Sequence, residues 1–458
     1  MSAEEVAAVG HEGVQHYRPW KKMLRGSAVE VLGHGAGQLL RFFSNLVLAR
    51  LLFPEAFGLG ALVVTVNQGL IMLSDLGIEP AVIQHKRGGE RAFLNTAFTI
   101  QATRGVIVWL CSVVLAWPLA ELYGDPRLML MIPIGSTAVL LQGLTSPTLF
   151  TLHRELQVAR LTALEFGAQA LGIAVMLVWA LLAPSVWVMV ASLIVSTGFK
   201  TVGSHLMSIG HSVRFENEPE ARREIFAFGR WILGSSALTF FGRQGDRLML
   251  GVYLGVAPLG IYSIAAALSE AVGVLVMRIT RRILFPVMSR VREEGTDSLR
   301  EVFYRSRLGL DMAIMPGLGI LALSGHYLIE LLYDPRYAAA GWMLELLAIR
   351  VAMSCVALPS EMCLVALGHP RYSLYQNAAR LVWVAGGIAL GHHFFGLAGV
   401  LWAIALSELP SIAIQWAGLW RARILVPRLE ARSFALFAAG AAAGALVRML
   451  FDRLLHAT

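Results

Sequence analysis

The chain has 458 residues, 57% of them apolar and 15% charged, with a mean hydropathy of +0.64. A soluble globular protein carries about 25% charged residues, so composition excludes that class. The formal net charge is +8. No basic stripe interleaved with aromatics marks a soluble module, so no nucleic-acid partner is expected.

In chain order, residues 1–26 form a polar tail without the apolar core of a signal peptide. Apolar blocks follow at 27–52, 56–83, 93–120, 126–150, 161–183 and 185–209. A charged linker at 211–224, HSVRFENEPEARRE, separates them from blocks at 226–250, 258–279, 308–332, 337–366, 373–391 and 396–420. A weaker thirteenth block covers 433–451, after a basic loop. Most blocks reach about 20 residues, the length that crosses a bilayer, and are too long for barrel strands. The expected fold is all-α, a polytopic helical bundle of 12–14 transmembrane helices. Its expected parts are the tail 1–26, a six-helix lobe at 27–210, the linker 211–224, a second six-helix lobe at 225–421, and 422–458 as basic loop and thirteenth block.

Numbering the loops alternately puts 24 basic residues on one side and Arg127 and Arg336 alone on the other. Positive charge is retained in the cytoplasm, which makes the N-terminus cytoplasmic. Cys111, Cys355 and Cys363 fall inside apolar blocks and read as buried, inert thiols. Trp117, Tyr123, Tyr253, Tyr333 and Trp420, near block ends, read as interface anchors.

The two halves repeat. At an offset of 202, Arg41 falls on Arg243, Leu46 on Leu248, Leu52 on Leu254 and Gly58 on Gly260. Further on, ELYGDPR (121–127) falls on ELLYDPR (330–336). Six helices per half is an even number, so the halves enter the membrane in the same sense. That is a parallel repeat about an axis along the membrane normal, with a cavity expected between the lobes, as in alternating-access transporters.

The stretches RGSAVEVLGHGAGQLLRFFSNLVLARLLFPEAFGLGAL, SDLGIEPAVIQ and FFGRQGDRLMLGVYLGVAPLGIYSIA carry a resemblance. They are similar to polysaccharide flippases of the MOP superfamily, and more narrowly to Wzx-type exporters of lipid-linked repeat units, over about residues 25–425. The resemblance implies flipping of an undecaprenyl-diphosphate-linked oligosaccharide across the bacterial inner membrane, for exopolysaccharide, capsule or O-antigen assembly. The partners it implies are that polyprenyl-diphosphate-linked oligosaccharide, the lipid bilayer, and a polysaccharide polymerase with its co-polymerase. Members of that family usually have twelve or fourteen helices, whereas this chain offers twelve plus one.

Charge inside a bilayer is costly and marks function or pairing. Arg41, Arg104, Arg243, Arg247, Arg350 and Arg380 are the candidate cations for a diphosphate, because a guanidinium binds phosphate oxygens in pairs. Arg243, Asp246 and Arg247 share one helix face, where Asp246 can pair with either arginine. As repeat mates, Arg41 and Arg243 are expected to face each other across the axis. Glu30, Asp75, Asp246, Glu270 and Asp311 are candidates for binding a coupling proton or sodium ion, or for structural pairing with arginines. No phosphate-binding loop, nucleophile elbow, metal pair or dinucleotide motif is present, so neither an enzyme nor a cofactor is expected. The competing readings are a cation-coupled multidrug exporter of the same superfamily and a polytopic polysaccharide-assembly enzyme. The first calls for a carboxylate-lined cavity and the second for a large catalytic loop.

Overall fold

The computed structural model describes residues 19–154, 157–207 and 213–456, and the described residues form helices without a strand. The first half comprises α1 (Pro19–Leu51), α2 (Pro54–Leu73), α3 (Ile78–Gln84), α4 (Arg91–Tyr123), α5 (Leu128–Gly135), α6 (Thr137–Gly143), α7 (Thr148–Arg154), α8 (Val158–Leu182) and α9 (Trp187–Leu206). The second half comprises α10 (Pro219–Leu254), α11 (Val256–Ile279), one π-helical turn (Thr280–Leu284), α12 (Phe285–Val291), α13 (Thr296–Leu332), α14 (Ala340–Ala366), α15 (Arg371–Ala405) and α16 (Leu409–Arg421). The weak thirteenth block is a full helix, α17 (Pro427–His456).

Ten of these segments are long and apolar enough to cross a membrane. One of the ten, Arg371–Arg421, is two antiparallel legs folded at Gly396 (φ 58°, ψ −139°). Gly391 and Gly399 let the legs touch, since a Cβ on either would lie 2.5 or 2.1 Å from the other's carbonyl oxygen. The block at 126–150, expected as one helix, is broken into α5, α6 and α7. Ser136, between α5 and α6, spends its hydroxyl on the buried Asn67 of α2.

The two ends of the bundle differ. The basic end carries Arg87, Arg214, Arg292 and Arg428, and the charge-poor end carries the two Asp-Pro-Arg turns. In each turn the arginine folds back on its own aspartate. Hydrogen bonds from Arg127 hold the Asp125 carboxyl below the usual carboxylate range, and Arg336 does the same to Asp334.

The charge-poor end is where the halves close. A Cβ on Gly58 would lie 1.9 Å from the Val256 carbonyl oxygen, and one on Gly260 would lie 1.8 Å from that of Pro54. Pro54 and Val256 are themselves mates at the offset of 202. Such reciprocal contact is the signature of a two-fold relation. Both α2 and α11 start at this end, so the local axis runs along the bundle. Tyr337 donates its hydroxyl to the Leu52 carbonyl at 2.9 Å, and Arg336 donates to the Arg50 carbonyl at 3.1 Å. Tyr123 donates to the Leu248 carbonyl at 3.2 Å. Tyr123 and Tyr333, expected as interface anchors, are instead buried in this core, whereas Trp117 and Trp420 are exposed. Hydroxyls that cap carbonyls of the opposite half explain the difference for Tyr123.

The thiols also need one correction. Cys355 and Cys363 are buried, but Cys111 is exposed on α4 among Ile107, Leu110 and Val114. Among the described residues nothing packs over that apolar face, which is the condition of a face turned to lipid.

Helix α17 packs on α13 through small residues. A Cβ on Gly440 would lie 2.1 Å from the Pro316 carbonyl oxygen, and one on Gly444 would lie 2.8 Å from that of Ile320. Gly319 approaches the Phe437 carbonyl in return, at 2.2 Å. Close backbone approach of this kind is the main source of helix association where lipid removes the hydrophobic drive.

Candidate functional site

The 240–250 run does not behave as an isolated three-charge cluster. Asp246 is buried and accepts from Tyr262 Oη at 2.6 Å and from Arg350 Nη1 at 2.7 Å. Arg247 turns the other way, to Glu270 at 2.7 Å and to Gln244 Oε1 at 3.0 Å. Gln244 then reaches Gln68 of the first half at 3.1 Å. The expectation that Asp246 pairs with a neighbouring arginine side chain thus gives way to a long-range partner from α14. The reason is direction: residues 246 and 247 are adjacent on a helix, so their side chains diverge by about 100°.

The other candidates are also engaged by protein groups. Arg380 pairs with Glu408 and donates to Ser411 Oγ at 3.2 Å, all three being buried. Arg104 donates to the Ile71 carbonyl at 2.7 Å and to Ser74 Oγ at 3.0 Å. It thereby caps the C-terminal end of α2, where cations are favoured. Asp75 accepts from the Gly77 backbone at 2.9 Å, closing the turn before α3, with Arg104 4.0 Å away. Asp311 lies in a buried set with Arg307, Glu430 and Ser433. Glu30 falls where side chains lie outside the described residues.

Arg41 and Arg243 stand apart. Among the described residues neither guanidinium group forms a hydrogen bond or an ion pair, and both residues are exposed. Arg41 lines a cavity of 330 Å³ in the first half, and its charged neighbour is Arg278 of α11. Arg243 has Arg380, Glu361, Arg281 and Glu408 around it and pairs with none of the acids. Arg278 and Arg281 flank the start of the π-helical turn. Four guanidinium groups from both halves therefore share one region, and Arg41 and Arg243 form no ion pair in it. Such an arrangement suits a dense anion and repels a cation.

Sequence reasoning passed over several groups. Arg307, counted among the loop cations, is fully buried, because Glu430 of α17 meets it at 2.8 Å. The signals were the Arg307–Asp311 spacing of one helical turn and a single acid, Glu430, between Glu408 and Asp452. Glu165, which meets Lys200 at 3.1 Å, was not singled out at all. No group of metal-binding side chains occurs among the described residues.

A family model described as polysaccharide biosynthesis protein matches residues 47–341. The succinoglycan biosynthesis transport protein ExoT of Rhizobium meliloti is 23% identical over 82% of this chain and 76% of its own. The lipopolysaccharide biosynthesis protein WzxC of Escherichia coli is 22% identical over 85% and 78%. In fold the chain is similar to a lipid II flippase, MurJ, in an inward closed conformation. The TM-score is 0.73 at 10% identity, covering 94% of this chain and 99% of that one. An inward-facing MATE-family multidrug transporter of the MOP superfamily gives 0.65 at 13% identity, covering 87% and 95%.

Proposed function

The chain belongs to the polysaccharide biosynthesis protein family, and on that premise we propose that it is a flippase for polyprenyl-diphosphate-linked oligosaccharides. It moves undecaprenyl-diphosphate-linked repeat units from the cytoplasmic to the periplasmic leaflet of a bacterial inner membrane. Alternating access of the lobes 27–210 and 225–421 carries the cargo, which then enters exopolysaccharide, capsule or O-antigen assembly. A polysaccharide polymerase and its co-polymerase act next.

One observation supports the reading: the Arg41 and Arg243 guanidinium groups form no ion pair among the described residues, and each has an arginine, Arg278 or Arg380, as its strongest charged influence. Their like charges are tolerable with a diphosphate between them. A multidrug exporter for cationic drugs would need acids there without arginines beside them, and here Arg380 stands with Glu408. With positive charge retained inside, the basic end is cytoplasmic and the closed charge-poor end is periplasmic. The closed periplasmic end makes this the loading state.

Two expected results follow. Export is lost in R41A/R243A while the protein still reaches the membrane, and lipid-linked repeat unit accumulates. Each missing charge-assisted hydrogen bond is worth about 1.5–3 kcal/mol, roughly tenfold or more in affinity. Lysine restores only part, since it keeps the charge and loses the fork. Normal export from the well-expressed double mutant would remove both residues from the substrate path. For orientation, reporter fusions after Arg87, Arg160, Glu218 and Arg292 report cytoplasm, and fusions near Pro126 and Pro335 report periplasm. A periplasmic signal at Glu218 would sink the parallel two-lobe arrangement.

A further inference from the structure

The 330 Å³ cavity at Arg41 does not end there. A second cavity of 450 Å³ shares Glu165, Thr197 and Lys200 with it, so the two form one chamber inside the first half. Each volume lies within the range of about 300–1,000 Å³ typical of pockets that enclose a small ligand. Arg41 sits ten residues before the end of α1, about 15 Å by helical rise, and so marks the deep end. The rest of the chamber runs from there toward the basic end, since Lys200 and Glu165 lie near the basic ends of α9 and α8.

The chemistry of the wall changes below Arg41. Its charges are largely internally balanced: Lys200 Nζ meets Glu165 Oε1 at 3.1 Å, and Arg104 and Asp75 are spent on the turn after α2. What remains is Glu79, exposed and without an ion pair among the described residues, and a set of neutral polar groups. Among the described residues, the Gln142 amide and the Thr162 hydroxyl form no side-chain hydrogen bond within the protein. Gln169 donates to the Gly37 carbonyl at 2.6 Å, which fixes the amide and leaves its oxygen as an acceptor. Phe166 adds an aromatic face. A balanced ion pair, amides, hydroxyls and one flat ring are what a neutral polyhydroxylated ligand requires. An anion would find no uncompensated cation below Arg41.

We infer that this chamber is the glycan subsite, holding the first sugars of the lipid-linked substrate with the Glu165–Lys200 pair hydrogen-bonded to their hydroxyls. The inference rests on the flippase reading above. The covalent order of the substrate supports it: sugars follow the diphosphate directly, and the chamber follows Arg41 directly. In the loading state the sugars point from Arg41 toward the basic end, where they are attached. The pair is a specificity determinant, because it recognises the sugar while Arg41 and Arg243 recognise the diphosphate.

The test uses the full-length protein in nanodiscs and two probes, undecaprenyl diphosphate and the same lipid carrying a neutral disaccharide. The wild type is expected to bind the disaccharide probe about tenfold or more tightly than the bare lipid, the worth of a hydrogen bond to a charged group. In E165Q/K200M that preference falls to near one, while the Kd for the bare lipid stays within about twofold. T197F, which fills the shared neck of the chamber and keeps the ion pair, should lose the same preference. It serves where the charge variant is not monodisperse. Equal binding of both probes by the wild type would overturn the glycan subsite and leave the diphosphate reading intact. A wild-type preference that survives in a monodisperse E165Q/K200M or T197F protein would also overturn it. Wild-type protein that binds neither probe would overturn both readings together.

Discussion

Leucine at Gly58 or Gly260 is expected to stop export almost completely in protein that still reaches the membrane. A Cβ at these positions would lie 1.9 or 1.8 Å from a carbonyl oxygen of the other half. The obstacle is backbone, so no rotamer change relieves it. Overpacking in a tight core typically costs about 1–3 kcal/mol, and here the cheapest relief is separation of α2 from α11. The inward-facing state, which needs this contact, would lose population. The measurement pairs export in cells with thiol labelling of single cysteines placed at Leu52 and Leu259, both buried at the closed end. Labelling should rise in the leucine variants. Wild-type export by G58L and G260L would show that the halves do not need this contact, and that outcome would remove the reciprocal glycine crossing from the transport cycle.

The second large effect lies far from the substrate path. Glu430→Ala is expected to destabilise the protein by about 3–5 kcal/mol, because it removes the nearer of the two counter-charges of the buried Arg307 and the acceptor of Tyr304 and Trp416. Arg307 has Glu430 at 2.8 Å, Ser433 at 3.0 Å and Asp311 at 3.4 Å, and Tyr304 and Trp416 also donate to Glu430. Removing the carboxylate leaves a guanidinium in a site closed to water. R307M/D311N/E430Q, which removes all three charges of the buried set, should recover much of the loss, since a buried ionic triad replaced by neutral groups of similar size is often close to neutral. Membrane abundance and the midpoint of thermal unfolding read the difference. An E430A protein as stable as the wild type would mean that α17 is not held by this cluster.

These two sites also show how far the sequence could be read. Gly58 and Gly260 were visible as repeat mates, but their direct contact was not. Spacing says that two residues are equivalent; it does not say how far either lies from the axis that relates them. Arg307 was legible as a cation and was placed in a loop, because only α17 makes its position an interior. The single acid in a basic stretch was the clue, and it gains meaning only when α17 is laid along α13.

By itself the sequence determined the class and the periodic features. Long apolar blocks force helices, because a backbone in lipid must satisfy its own hydrogen bonds. The offset of 202 determined a parallel repeat, and residue chemistry singled out the arginines suited to a diphosphate. Only the tertiary structure decided which of those arginines are spent. Arg350 goes to Asp246 and Arg380 to Glu408, while the Arg41 and Arg243 guanidinium groups form no ion pair among the described residues. The reason is that pairing between helices depends on their rotation and crossing. A helical sequence states which residues share a face, and only packing states what that face meets.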